Sequence, residues 1–354
     1  MSAYTRVDLA QLPDYVAGRS IPGAIKLASN EVSAGPLPSV VAAISAAASG
    51  VNRYPDSGAG ALVARLAERF GVREAELAVG CGSVSLCQQL VQATCTAADE
   101  VLFAWRSFEA YPIITHVVGA HGVRVPLTAD HRLDIDAMLA AVTPATRLVF
   151  LCTPNNPTGT SLSGEELRRF IDGVPSDVLV VIDEAYREFV DDPEVPDGIV
   201  VATDAWARGQ HNVAVLRTFS KAYGLAGLRV GYCVAPEPVT AALRKVFVPF
   251  AVNSIAQAAA IASLDAEDEL FARCKQIVAE RGRVHAELLS MGYEVPPSQA
   301  NFVWLPLGEE TAAFNEHCLE HRVVVRPFLG DGARVTVGEP AENDAFLEAA
   351  RTFR

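Results

Sequence analysis

Six short apolar runs between residues 100 and 234 constrain this chain more than anything else in it. They are EVLFA (100–104), VRVPL (123–127), RLVFLC (147–152), VLVVIDE (178–184), VAVLR (213–217) and LRVGYCV (228–234). Each carries at least one valine among other apolar residues, and most scarcely alternate between apolar and polar, the pattern of strands covered on both faces. Helix-like stretches separate them. One, SGEELRRFI, opens with Ser163 and has Glu166 three residues later, a capping box. Strands and helices in alternation predict an α/β fold with a mostly parallel central sheet sandwiched by helices.

The texture changes after Pro236. Long helical patterns run to Met291, with Gly292 as a C-terminal cap, followed by short strands at 301–307, 322–327 and 333–338 and helices around 310–321 and 341–353. The expected organisation is a Pro- and Gly-rich arm over residues 1–30, a large domain over 31–240 and a smaller α+β domain over 241–354.

A net charge of −13 disfavours nucleic acid and anionic membranes as partners, although a few local arginines can still hold a small anion. Two uncharged windows, 77–98 and 246–264, carry Gly, Ser, Gln, Pro and Asn, so they are expected to be buried in protein rather than in lipid. Seven cysteines without a CxxC spacing suggest reduced thiols, and the first twenty residues lack the basic start and apolar block of a signal peptide. A cytoplasmic protein is expected. His317 and His321, four apart on a helix with no third ligand nearby, do not make a metal site.

Open parallel sheets bind ligands beyond the carboxyl ends of their strands, and four clusters fall there. GCGSVSL (80–86) leads into a helix whose first amides, at Ser83 and Val84, can cap an anion. TPNNPTGT (153–160) places Asn155 and Asn156 after an apolar strand, one of them a candidate ligand. VIDEAYREF (181–189) ends a strand on Asp183 and Glu184; an acid there either caps a helix or holds a cationic ligand atom. RTFSKAYGLAGLRVGY (217–232) sets Lys221 after a strand, beside Thr218, Ser220 and Arg229. That lysine is either ion-paired or a partly desolvated amine ready to act as a nucleophile. A phosphate cup, an acid, amide and phenol donors and an imine-forming lysine together match the needs of pyridoxal 5'-phosphate.

With these residues, and with KLASNE (26–31), NRYPD (52–56), NPTG (156–159), DEAY (183–186), PSQANFVW (297–304), VVVRP (323–327) and RVTVG (334–338), nearly the whole chain resembles the fold-type I pyridoxal-phosphate aminotransferases, in the histidinol-phosphate and aromatic aminotransferase branch. The resemblance implies that Lys221 holds the cofactor and moves the proton, and that Asp183 keeps its ring nitrogen protonated. It implies that Asn156 and Tyr186 bind the ring oxygen, and that Ser220, Arg229 and the amides of Ser83 and Val84 grip the phosphate, with Thr218 nearby. It also implies that Phe108 stacks on the ring, Arg334 clamps the substrate α-carboxylate, Tyr15 and Arg326 lie on the substrate side, and Tyr54 reaches the phosphate of a neighbouring subunit in a homodimer. Two departures bear on substrate. Val84 and Ser85 stand where many histidinol-phosphate enzymes carry an acidic pair, and WRSFEAY (105–111) has Trp105 in place of a proline. VGCGSVSLCQQLVQAT is similar to actinobacterial phenylalanine aminotransferases. The resemblance therefore implies an aromatic amino acid as donor and 2-oxoglutarate as acceptor, with histidinol phosphate as the alternative donor and threonine-phosphate decarboxylation as a rival reaction of the fold.

Overall fold

The computed structural model describes residues 6–12 and 20–354. Its strands, in chain order, are β1 (Ile25–Lys26), β2 (Leu77–Gly80), β3 (Glu100–Trp105), β4 (His121–Pro126), β5 (Thr146–Cys152), β6 (Leu179–Asp183), β7 (Val213–Thr218), β8 (Gly231–Val234), β9 (Phe302–Leu305), β10 (Val323–Val324), β11 (Arg326–Phe328) and β12 (Gly332–Thr336). Seven form one sheet in the order β2-β8-β7-β6-β5-β3-β4. The neighbours from β4 through β7 run parallel, and β8 lies antiparallel to both β7 and β2. The strand at Leu77–Gly80 is not among the six apolar runs. The last run starts as a strand later than expected, since Ala226–Leu228 is a 3-10 turn and Arg229 is left-handed at φ 58°.

Two-residue periodicity along the buried strands decides what each side chain faces. Leu148, Phe150 and Cys152 of β5, Leu179 and Val181 of β6, and Ala214 and Leu216 of β7 enter one apolar core with the Gly82–Thr94 helix. The intervening Val149, Leu151, Val180, Ile182, Val213 and Val215 enter the other. That second core is closed by helices including Gly60–Phe70 and Ser254–Asp265, so the 254–264 part of the uncharged 246–264 window is inside protein, whereas Val248 and Phe250 ahead of it are exposed.

A third core joins the antiparallel sheet β11-β12-β9 to the long Glu267–Ser290 helix and the Pro340–Phe353 helix. The capping box at Ser163 and Glu166 forms as expected, and Gly292 follows the long helix at φ 84°. Residues 25–30 are more than an arm. β1 pairs with β10, Leu27 is fully buried, and Asn30 accepts no solvent at 1 % exposure. No helix among the described residues is long and apolar enough to cross a membrane.

Candidate active site

Strand parity separates the two acids that end β6. Asp183 continues the Leu179–Val181 face and meets Tyr111, whose hydroxyl donates to Oδ2 at 2.6 Å. Glu184 turns to the opposite face, where it accepts from Arg217 Nη2 at 2.7 Å and from the Gly198 amide at 2.8 Å. Glu184 is thus an internal counter-ion that also takes the first amide of the Gly198–Ala207 helix. Asp183 is 3 % exposed, and its Oδ1 has no hydrogen-bond partner among the described residues. Burial raises its pKa to about 6, against the lowering pull of the Tyr111 hydroxyl and the Ala185 backbone amide.

The same parity splits Arg217 from Thr218 on β7, so Thr218 comes to the cleft and the chain turns there to present Lys221. Lys221 Nζ donates to Ser29 O at 3.1 Å and lies 5.9 Å from the Tyr186 ring centre. Burial first, then the Arg334 and Arg229 guanidiniums, lower its pKa to about 7. An amine in that state is half neutral near physiological pH and can act as a nucleophile or base. The ion-paired alternative for Lys221 is not what the structure shows, since its hydrogen-bond acceptor is a backbone carbonyl.

The two asparagines also separate. Asn155 is fully buried and occupied: its Oδ1 accepts from Ser107 at 2.7 Å, and its Nδ2 donates to Thr158 Oγ1 at 2.9 Å and to Arg106 O at 3.1 Å. Asn156 faces the cleft and accepts Arg334 Nη1 at 2.5 Å. Arg334 Nη2 also donates to Ala28 O at 2.7 Å. Tyr186 accepts from Asn30 Nδ2 at 2.9 Å, and burial raises its phenol well above the usual range. Asn30, Ser29 and Ala28 thus belong to the site, although only the family-like KLASNE string pointed to them.

An anion cup forms where the Gly82–Thr94 helix begins. Ser83, Val84, Ser220, Thr218 and Arg229 line it, and Arg229 Nη1 donates to Ser220 Oγ at 3.0 Å. The approach is close: a Cβ on Gly82, at φ 75°, would lie 2.4 Å from Arg229 Nη2, and one on Gly231 would lie 2.6 Å from the Ser83 amide nitrogen. Ser85 turns its hydroxyl back to Gly82 O at 3.0 Å, so Val84 alone of that pair faces the cleft.

Phe108 lines the cleft edge-on to Tyr111, with ring centres 5.5 Å apart. Trp105 lies between the guanidiniums of Arg106 and Arg124, at 4.7 and 4.6 Å from its ring centre. Arg326 lines the cleft, and its Nη2 donates to Glu109 Oε2 at 2.8 Å.

These residues surround a cleft of about 300 Å³, at the small end of cavities that hold a cofactor or metabolite. They fit a phosphorylated, protonated heteroaromatic aldehyde on a specific observation. The unpartnered Oδ1 of Asp183 needs an N–H donor, the helix amides and Arg229 offer a dianion site, and Lys221 offers an amine between them. One expected residue is not in this cleft, and another is not among those the structure describes. Tyr54 is 83 % exposed and stacks on Phe250 at 4.6 Å, and Tyr15 lies outside the described residues. His317 and His321 pack ring against ring at 4.4 Å, and His317 contacts Thr352 Oγ1 at 3.0 Å.

Comparison with known proteins identifies the family. The family model described as aminotransferase class I and II matches residues 22–349. An aromatic amino acid aminotransferase of Rhodococcus jostii (strain RHA1) is 60% identical over 350 residues, covering 99% of this chain and 96% of the relative. One of Mycobacterium tuberculosis (strain H37Rv) is 58% identical over 356 residues, covering 100% and 99%. The crystal structure of histidinol-phosphate aminotransferase from Sinorhizobium meliloti, in complex with pyridoxal-5'-phosphate, superposes with a TM-score of 0.89 at 30% identity, covering 100% of both chains. The chain belongs to the class I and II aminotransferases, with the fold-type I architecture of that family.

Proposed function

We propose that this aminotransferase uses pyridoxal 5'-phosphate to move the amino group of an aromatic L-amino acid, phenylalanine or tyrosine, to 2-oxoglutarate. The observation that carries the cofactor reading is the buried, unpartnered Asp183 Oδ1 beside Lys221 and the Arg229 cup. When bound, the cofactor supplies an electron sink for the bond broken at the substrate Cα.

The chain's residues supply the rest. Asp183 would hold a ring N–H by a charge-assisted hydrogen bond in a dry environment. Asn156 and Tyr186 would hold the ring oxygen, and Phe108 would cover the ring face. Ser83 N–H, Val84 N–H, Ser220 and Arg229 grip the phosphate, with Thr218 orienting the turn by accepting the Ser220 amide at 3.1 Å. Lys221 Nζ is the attachment point and then the base that takes the Cα proton. Arg334 orients the α-carboxylate, fixing which Cα bond faces Lys221.

Arg334→Lys is expected to lower kcat/KM for all α-amino acid donors by about 10–100-fold, because a lysine cannot supply a two-pronged contact. Steady-state kinetics check this, and an unchanged value would remove Arg334 from the site. The aromatic reading rests on the relatives' names and on the apolar Val84 and aromatic Phe108 in the cleft. A second reading, histidinol phosphate as donor, draws on Arg326 as a phosphate partner. Comparing kcat/KM for phenylalanine, tyrosine and histidinol phosphate tests both, and a large preference for histidinol phosphate would overturn the aromatic assignment.

The same reading gives two domains, 31–240 for the cofactor and 241–354 for the β9–β12 layer that brings the substrate arginines. It also makes the enzyme a cytoplasmic homodimer. Its support is Tyr54 and Phe250, which stack together near exposed Val248 (66 %), an apolar patch suited to a partner subunit whose phosphate cup Tyr54 would complete.

A further inference from the structure

The antiparallel register of the small sheet places Arg326 directly opposite Arg334, so two guanidiniums leave one face of it into the same cleft. Cross-strand partners of this kind stand about 5 Å apart at Cβ. Arg326 is therefore one side-chain spacing from the α-carboxylate clamp, where the far end of a short substrate would lie. The two arginines are held differently. Arg334 is held by neutral oxygens, Asn156 Oδ1 and Ala28 O. Arg326 is held by a carboxylate, Glu109 Oε2, at 2.8 Å, with side-chain exposures of only 13% and 32% for the pair. The next guanidinium outward, Arg106, is likewise taken by an acid, Asp331, at 2.5 Å. Both Arg326 and Arg334 approach the Phe328 ring, at 5.7 and 5.9 Å from its centre.

We propose that Glu109 determines substrate side-chain class by neutralising Arg326 in the cleft, so that an uncharged ring is accepted there and a second anion is penalised. This inference rests on the aminotransferase reading of the site and deepens it. A substrate with a neutral side chain leaves the Glu109–Arg326 pair intact and lies against an electrically balanced wall. A substrate with a distal phosphate or carboxylate must detach Arg326 from Glu109 and then sit beside the displaced carboxylate. Like charges brought together in a partly dry site cost enough to set specificity. Glu109 acts through Arg326 and is a positioning residue, not a catalytic one. It also implies that a dicarboxylate acceptor such as 2-oxoglutarate binds against the same penalty as a phosphorylated donor.

The test uses two ligands that cannot react, with the holoenzyme and calorimetry. Glutarate carries a distal carboxylate, and 3-phenylpropionate carries a distal ring. Glu109→Gln is expected to tighten glutarate by about tenfold. It should change 3-phenylpropionate little, because a neutral ring carries no charge for Arg326 to attract once its carboxylate partner is gone. The ratio of the two dissociation constants therefore moves by about tenfold, and Glu109→Asp, which keeps the charge, should restore most of the original ratio. Adding Arg326→Gln to Glu109→Gln should abolish the gain for glutarate. An unchanged ratio in Glu109→Gln, or a glutarate gain that persists without Arg326, overturns the proposal. Measuring kcat/KM of the unaltered enzyme for phenylalanine separates the two layers of inference. If the enzyme does not turn over phenylalanine, the aromatic reading fails; if it does and the ratio stays fixed, only the role of Glu109 fails.

Discussion

Lys221→Ala should leave a folded protein that no longer traps pyridoxal phosphate on borohydride reduction and whose turnover is essentially gone. Loss of a positioned base alone costs about 10²–10⁴-fold, and here the covalent attachment is lost with it. Peptide mass spectrometry after reduction gives the direct reading: the unaltered protein should carry the reduced cofactor on Lys221, and the variant should carry it nowhere. Trapping at another lysine, or retained turnover, would refute the assignment. The pH dependence has a definite sign. With a pKa lowered to about 7 by burial and by Arg334 and Arg229, the amine is protonated and unreactive below pH 7 and neutral above it. The rate at which the cofactor-free protein takes up the aldehyde should therefore rise through about pH 7 and level off, rather than climb towards the pH 10 range of a solvated lysine.

Asp183→Asn is expected to separate activity from stability. Without the cofactor, the ionised Asp183 is a buried carboxylate with one oxygen satisfied by Tyr111 and the other bare. Its folded-state pKa of about 6 exceeds the ordinary value near 4, so the neutral form is favoured by folding. That contribution is complete below about pH 4 and is lost as pH rises from about 4 through 6. At pH 8 the cofactor-free fold therefore carries a penalty of roughly 3 kcal/mol. An asparagine can still accept the Tyr111 hydroxyl and carries no charge. The cofactor-free variant should melt at or above the Tm of the unaltered protein at pH 8, and the difference should shrink near pH 4. In the loaded enzyme the same change should lower kcat by about 10²–10³-fold, because an amide cannot hold a ring nitrogen in its protonated form. A variant that loses stability and activity together would make Asp183 a structural residue instead.

Much of this site was legible before any coordinates. Lys221, Asn156, Tyr186, Ser220, Arg229 and Arg334 all belong to strings whose residue types match one cofactor, and all come together around the cleft. The near-continuous apolar runs announced a sheet buried on both faces because a strand without polar alternation presents apolar side chains to two cores at once. The pairwise choices were harder. Asp183 and Glu184 are adjacent acids, as Asn155 and Asn156 are adjacent amides, and either member of each pair fits the chemistry in principle. For the acids, the two-residue alternation of β6 and the position of Arg217 on β7 decided it. For the amides, the buried Ser107–Asn155–Thr158 network decided it. The part played by Ala28, Ser29 and Asn30 was visible only as family likeness, because a short strand that pairs with β10 far along the chain leaves no periodic signal of its own.

What the sequence determined by itself is therefore the local chemistry and the layer type. Strand propensity, helix caps and the amine, acid and glycine content of each loop are properties of neighbouring residues, and neighbours are what a sequence records. What only the tertiary structure decided is charge balance within the cleft. The opening segment around Lys221 does not contain Arg334, whose charge helps lower its pKa, and WRSFEAY does not contain the arginine that Glu109 neutralises. Lys221 and Arg334 are 113 positions apart, and Glu109 and Arg326 are 217 apart. Electrostatic energy depends on distance and on exclusion of water, and chain folding sets both only after the two sheets have been brought together.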